Sequence, residues 1–223
     1  MFIKNYVHDC HLCGNPTEQD GNICQKCKDK SPVISGEICC ICGLPLISEK
    51  SVCMRCRKRK YAFDRNFSIF EYKNRAREIF YHYKFAKHRD IAIWYSELIN
   101  DLVAAKFHDY LIVPSPSRYY KKIRKGWDQV EYLSSILRSQ YNLPVKNVLK
   151  RSGGSDQKRL DLEERITNLR GKISVRRNFQ IITEQKILFL DDIFTTGATA
   201  DECSRVLIEN GAASVTSLTI AID

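Results

Sequence analysis

Two aspartates, Asp191 and Asp192, close an apolar run in the stretch ILFLDDIFTTGATA (residues 187–200), and a turn of threonine, glycine and alanine follows them. Small residues let backbone N–H groups converge on an anion, and the start of a helix adds its dipole. Threonine hydroxyls supply further donors. Thr195, Thr196, Gly197, Ala198 and Thr199 therefore read as a phosphate cradle. Carboxylates repel phosphate, so the two acids should face another part of the same ligand. A vicinal diol, as on ribose, suits a pair of acceptors, with each charged hydrogen bond contributing roughly 1.5–3 kcal/mol. Turn capping by Asp192 and helix capping by Thr199 would account for one acid but not for two. The expected ligand is a ribose that carries a phosphate.

Cysteine spacing points to a second chemistry. Nine of the ten cysteines lie before residue 57, and eight fall into a repeat: Cys10-x2-Cys13-x10-Cys24-x2-Cys27, then Cys39-x2-Cys42-x10-Cys53-x2-Cys56. A Cys-x2-Cys turn sets two sulfurs on one side of a tight loop, and two such turns make a tetrahedral thiolate site. Gly14 and Gly43 each follow the second cysteine of a unit, where a positive φ is expected. Disulfides are disfavoured because the N-terminus, MFIKNYVHDCHLC, lacks the apolar core of a secretion signal. Two structural Zn2+ ions are expected, each closed by four thiolates with no open position for catalysis. Their wiring is either sequential or interleaved, Cys10/Cys13 with Cys39/Cys42 and Cys24/Cys27 with Cys53/Cys56. Cys40 fits the spacing less well than Cys39. The module has few large apolar residues, so metal binding, apparently about 10–16 kcal/mol per site, supplies its folding energy.

These groups sit on a chain of 223 residues, enough for a small module at 1–60 and a full domain at 61–223. Hydrophobic residues make up 43% and charged residues 28%, an ordinary globular mix with no membrane-spanning run. A cytoplasmic location without membrane insertion is expected. The formal net charge of +10 favours phosphorylated or polyanionic partners, although any single basic run, such as RCRKRK (55–60), is first of all a solvated face.

Strands are expected at Asn66–Tyr72, in Tyr110–Arg118 where two prolines stop the strand, and at Val145–Arg151, Lys186–Asp192 and Ser214–Ile222. Helices are expected at Asn74–Phe85, Asp90–Lys106, Trp127–Ser139 and Thr199–Gly211, with Ile79, Phe80, Tyr83, Ile93, Trp94, Leu98, Leu102 and Val103 facing the core. The alternation predicts an α/β fold, a mostly parallel sheet with helices on both faces. Ligands of such sheets sit at the carboxyl ends of the strands, where Asp191 and Asp192 fall.

ILFLDDIFTTGAT resembles the phosphoribosyl pyrophosphate (PRPP) signature of type I phosphoribosyltransferases over its thirteen positions. The resemblance implies that Asp191 and Asp192 contact the ribose hydroxyls and that Thr195–Thr199 hold the 5′-phosphate. It further implies a pyrophosphate and Mg2+ loop at VPSPSR, hence Ser115, Pro116, Ser117 and Arg118. With the cysteine repeat in front, the chain resembles the ComF family of competence proteins along nearly its whole length. KGWDQ (125–129) stands where that family has an R-G-F-N-Q element, and QKRLDLEERITN (157–168) stands for a Q-x2-L-S-x3-R-x2-N element. The second keeps Gln157, Leu160, Arg165 and Asn168, and occupies the place of a mobile lid; Gln157 and Arg165 are expected to close over the ligand.

Two function classes follow from the resemblance. One is a competence protein that binds PRPP or a related phosphoribosyl ligand and handles single-stranded DNA during natural transformation, with other competence proteins as partners. The other is an active phosphoribosyltransferase of nucleotide salvage or synthesis that uses PRPP and Mg2+. Such transfer needs no covalent nucleophile; it needs cations on the leaving pyrophosphate, here Arg118, Lys121, Lys122, Arg124 and Arg165, and a positioned acceptor. No base-binding hood is expected after the last strand, and the Met-Phe start lacks an N-terminal glutaminase cysteine.

Overall fold

The structure, a computed structural model, describes residues 7–18, 22–48, 50–117, 126–152, 169–177 and 180–223. Both cysteine units fold in the same way. In the first, β1 (His8–Asp9) pairs antiparallel with β2 (Pro16–Thr17), and α1 (Gln25–Asp29) carries the last cysteine. In the second, an antiparallel bridge joins Ile38 to Pro45 at the equivalent positions. Gly14 and Gly43 take the expected positive φ, +70° and +76°, and their N–H groups donate to Cys10 O and Cys39 O at 2.9 Å in both units.

Beyond the ribbons lie β3 (Arg65–Glu71), α2 (Asn74–Lys84), α3 (Ile91–Lys106), β4 (Leu111–Pro114), α4 (Gln129–Ser139), β5 (Leu149–Arg151), β6 (Ile173–Val175), β7 (Lys186–Phe194), α5 (Ala198–Glu209) and β8 (Ser214–Ile222). The central sheet runs β3-β8-β7-β4 with every neighbour parallel. Its middle strands are apolar on both sides: Ile187, Leu188, Phe189 and Leu190 are fully buried, as are most residues of β8. This is the residue pattern of a strand covered by layers on both faces.

Each face is covered by helices and by one ribbon. Leu188, Leu190, Leu218 and Ile220 point into a cluster with α2, α3 and α4, which also takes in Cys10, Ile23 and Cys27. Ile187, Phe189 and Val215 point into a cluster with α5 and the β5–β6 hairpin, which takes in Cys39, Cys42, Cys53 and Cys56. The ribbons thus lie on opposite sides of the sheet, and the thiolates of the second form part of the larger domain's core.

Several boundaries differ from expectation for physical reasons. β7 continues past Asp192 to Phe194 because β8 runs alongside it, pairing Ile193 with Ala221 and Phe194 with Ile222. The segment from Val145 is not one strand. Val145 makes a single parallel bridge to Ile112, the chain turns as Val148 N donates to Lys146 O at 3.0 Å, and Leu149–Arg151 then pairs with β6 in a separate two-stranded sheet. On α3, Ile91, Tyr95 and Ile99 are buried with Trp94 and Val103, whereas Ile93, Leu98 and Leu102 are only half-buried. Apolar residues cover most of that helix outside the Glu97–Asp101 stripe, so periodicity alone located its inner face poorly. No helix among the described residues is long and apolar enough to cross a membrane.

Candidate functional site

The two aspartates stand at the carboxyl end of β7, a central strand, and face different layers of the fold. Asp191 Oδ1 accepts hydrogen bonds from Ser115 Oγ (2.8 Å), at the end of β4, and from Asp192 N (2.9 Å). Burial and the neighbouring Asp192 charge push its carboxyl up to about 7, against the opposing effect of Ser115. Asp192 Oδ2 accepts from Lys84 Nζ at 2.5 Å, with both side chains more than four-fifths buried. The acids are therefore not free acceptors: Asp192 is ion-paired, and a diol would have to share or displace Lys84. Burial works against the Lys84 ammonium, but the Asp192 carboxylate outweighs it and raises its pKa.

Trp127, Asp128 and Gln129 of the sequence element KGWDQ explain how Lys84 comes to be there. Asp128 caps α4 by accepting from Glu131 N at 3.0 Å, so its departure from the family's residue keeps a capping acceptor. Gln129 Nε2 donates to Lys84 O (3.3 Å), and Gln129 O accepts from the buried Tyr83 hydroxyl (2.6 Å). Trp127 packs edge-on against Tyr83 with ring centroids 5.3 Å apart. This element fixes the end of α2 and hence the ammonium that meets Asp192.

Behind the acids, the threonine turn is shaped by the second ribbon. Arg55 Nη1 donates to Thr195 O (2.9 Å) and to Asp223 O (2.8 Å); Arg59 Nη1 and the Tyr61 hydroxyl each donate to Thr196 O at 3.4 Å. Ala62 N donates to Asp201 Oδ1, in the first turn of α5, at 2.7 Å. A trans peptide puts its C=O and the next N–H on opposite sides. Pinning the carbonyls of Thr195 and Thr196 toward the ribbon therefore turns the N–H groups of Thr196 and Gly197 away from it, at the N-terminus of α5. That orientation suits an oxyanion.

Gly197 holds φ +78°, and a Cβ there would come within 2.7 Å of the Phe194 ring and 2.9 Å of the Tyr61 ring. Left-handed backbone costs a non-glycine residue about 1–2 kcal/mol, and overfilling a packed site costs about 1–3 kcal/mol more. We expect Gly197→Ala to destabilise the protein by about 2–5 kcal/mol in denaturant melts. A change within about 0.5 kcal/mol would show that the turn is not held in this shape.

Beside the acids a cleft of about 530 Å³ opens between the end of β4 and the β5–β6 hairpin. Its walls include Ser115, Pro116 and Ser117 together with Lys150, Arg151 and Arg176. Neither aspartate lines it; Ser115 joins the two regions through its bond to Asp191. Arg118, Lys121, Lys122, Arg124, Gln157, Arg165 and Asn168 lie outside the described residues. The sequence reading missed Lys84, Arg55, Arg59, Lys150, Arg151 and Arg176. Arg55 and Arg59 belong to the basic run set aside as a solvated face, and their alternation with the last ribbon cysteines was the available signal.

The eight thiolates gather sequentially into two clusters, Cys10/Cys13/Cys24/Cys27 and Cys39/Cys42/Cys53/Cys56, and the interleaved wiring is excluded. Sulfur separations of 3.6 Å (Cys13–Cys24) and 3.7 Å (Cys42–Cys53) match the edge of about 3.8 Å that Zn–S bonds of about 2.3 Å give a tetrahedron. Cys24 N and Cys53 N each donate to the first sulfur of their unit at 3.4 Å, as suits thiolate ligands. Both clusters fit structural zinc. Cys40 is exposed and outside them.

Comparison with known proteins bears on both halves. The double zinc ribbon domain family matches residues 6–57. Competence protein F of Haemophilus influenzae is 28% identical over 102 residues, 45% of this chain and 44% of that protein, so the match spans less than half of the relative. Competence protein ComFC of Bacillus subtilis is 27% identical over 211 residues, 90% of this chain and 84% of that protein. Orotate phosphoribosyltransferase of Helicobacter pylori (strain HPAG1) is 45% identical over 49 residues, 22% of this chain and 23% of that enzyme. The fold is a phosphoribosyltransferase-like parallel sheet behind a double zinc ribbon. Nine-tenths of this chain aligns with ComFC and its cysteine repeat is matched separately, so the chain is similar to the ComF competence proteins over most of its length.

Proposed function

We propose that the carboxyl end of β7 binds PRPP or a related phosphoribosyl ligand, and that the protein is a cytoplasmic competence factor that handles single-stranded DNA. The observation that carries the ligand assignment is the pinned turn, which directs the N–H groups of Thr196 and Gly197 away from the ribbon directly behind two carboxylates. The turn takes the 5′-phosphate, and Asp191 and Asp192 take the ribose hydroxyls. Mg2+ would accompany the pyrophosphate and offset its charge beside Asp191, Asp192 and the half-buried Asp128. Burial, and the Asp192 charge, raise the Asp128 pKa.

Lys84 tunes this site. Its bond to Asp192 competes with a diol, so Lys84→Met should tighten PRPP binding while costing stability, because a mostly buried carboxylate loses its partner. Calorimetric titration of wild type and Lys84→Met with PRPP and Mg2+ tests the assignment. No binding by either protein would refute it, and weaker binding by the variant would mean that Lys84 holds the ligand rather than the acid.

The DNA half of the reading is supported by the net charge of +10 and by Tyr81 and Phe85, two exposed rings with centroids 5.3 Å apart at the end of α2. Stacked bases contribute about 1–3 kcal/mol each on such rings. Filter binding across a salt series should show steep salt dependence, and no binding at low salt would remove this half. A second reading, an active phosphoribosyltransferase, is favoured by the cleft beside Ser115. Lys150, Arg151 and Arg176 could neutralise a leaving pyrophosphate there as the C1–O bond breaks.

A further inference from the structure

We propose a third divalent-metal site, separate from the two thiolate clusters, formed by His11, His88 and Asp90 where the first ribbon meets the turn between α2 and α3. The three ligand atoms lie within 4.8 Å of one another, and all three residues are half-buried. They come from separate parts of the chain: His11 sits between Cys10 and Leu12 in the first knuckle, and His88 and Asp90 precede α3. His11 Nε2 and Asp90 Oδ2 approach to 2.6 Å, and the His11 and His88 rings lie with centroids 3.7 Å apart. His82, on α2, stands 5.4 Å from His88 between centroids; its Nδ1 is buried with no hydrogen-bond partner among the described residues.

Three imidazoles crowded together are an expensive way to make an interface. At these separations each charged ring would disfavour its neighbours' charge. Neutral imidazoles are what a metal requires. Two nitrogens and one carboxylate oxygen form a ligand set for zinc or another late first-row divalent ion, with a fourth position left to water or to His82. Tetrahedral zinc with bonds of about 2.0–2.1 Å keeps its ligand atoms about 3.3–3.4 Å apart, so the His11–Asp90 contact need open by less than about 1 Å. Asp90 retains 29% side-chain exposure and His11 17%, which leaves a path for the ion. With three ligands instead of four thiolates, the site would exchange metal far more readily than the ribbons. When filled it would tie the first knuckle to the helical layer.

Cobalt tests this on the full chain, prepared without a polyhistidine tag and with both ribbons loaded with zinc. Added Co2+ should bind as one further equivalent and give visible d–d absorption without the near-ultraviolet thiolate charge-transfer band. His88→Ala should weaken that binding at least tenfold while zinc content stays at two per chain. Asp90→Asn reads the same effect if the alanine variant does not fold. Absence of further cobalt binding, cobalt that appears only with the thiolate band, or equal binding by wild type and variant would each overturn the site.

Discussion

Asp191→Asn should weaken PRPP binding about 10- to 100-fold and yet make the protein more stable above pH 7, whereas Asp192→Asn should weaken binding as much and make the protein less stable. The binding loss follows from removing charged acceptors worth roughly 1.5–3 kcal/mol each, or about one to two orders of magnitude in affinity per acid. The opposite stability effects follow from the two environments. Burial and the Asp192 charge raise the Asp191 carboxyl from 3.8 to about 7. A raised folded-state pKa means that the native protein holds this proton more tightly than the unfolded chain does. Its contribution is fully favourable below about pH 4, declines between about pH 4 and 7, and above that range leaves the cost of an ionised, mostly desolvated carboxylate. Asparagine removes that cost and can still accept from Ser115. We expect a melting temperature several degrees above wild type at pH 8, and little difference at pH 4. Asp192 has the reverse role. It is the partner of the mostly buried Lys84 ammonium, and removing one member of such a pair costs about 3–5 kcal/mol. Melts of both variants at pH 4 and pH 8, with PRPP titrations, check the scheme. Retained affinity in both variants would end the ribose assignment; equal destabilisation of both would end the account of Asp191.

The second large effect concerns zinc. Cys42→Ser should eliminate ligand binding, while Cys13→Ser should reduce it no more than a few-fold. Structural zinc contributes apparently about 10–16 kcal/mol, which equals or exceeds the whole stability of an ordinary domain at about 5–15 kcal/mol. A ribbon that loses its metal therefore unfolds. The consequences differ because the ribbons touch different things. Cys42 is fully buried in the cluster that holds Phe189, Phe194 and α5, and its ribbon carries Arg55, which pins Thr195 O. The exposed Cys13 belongs to the ribbon packed on α2 and α3, on the far side of the sheet from α5. Limited proteolysis and calorimetry on the two variants separate these cases. Undiminished PRPP affinity in Cys42→Ser would show that the turn keeps its shape without the ribbon.

The difference between the ribbons also marks where sequence reading reached its limit. The cysteine repeat was legible because a tetrahedral site demands fixed local spacing, and both units are closed within eighteen residues of chain, Cys10–Cys27 and Cys39–Cys56. The central strands were legible because two-sided burial writes a continuous apolar run, as in Ile187–Leu190. The partners of the candidate site were not, since they come from remote segments: Lys84 reaches Asp192 across 108 positions, and Arg55 reaches Thr195 across 140. A lysine at the end of a helix and an arginine in a basic run carry no local sign of such partners. The inner face of α3 failed for a different reason, because apolar residues cover most of its circumference and leave only a weak contrast between its sides.

Strand order has a consequence for how the protein is made. β8 lies between β3 and β7, although every other element precedes it in the chain. During synthesis the metal knuckles and the helices can form early, but β3 waits for a neighbour some 150 residues downstream, Ser68 opposite Thr219, with its edge open meanwhile. Parallel pairing over that span is slow because the closing loop is long. The nascent chain should depend on chaperones until its last strand slots home, and destabilising changes in β8 should lower the yield of active protein before they lower the stability of what has folded.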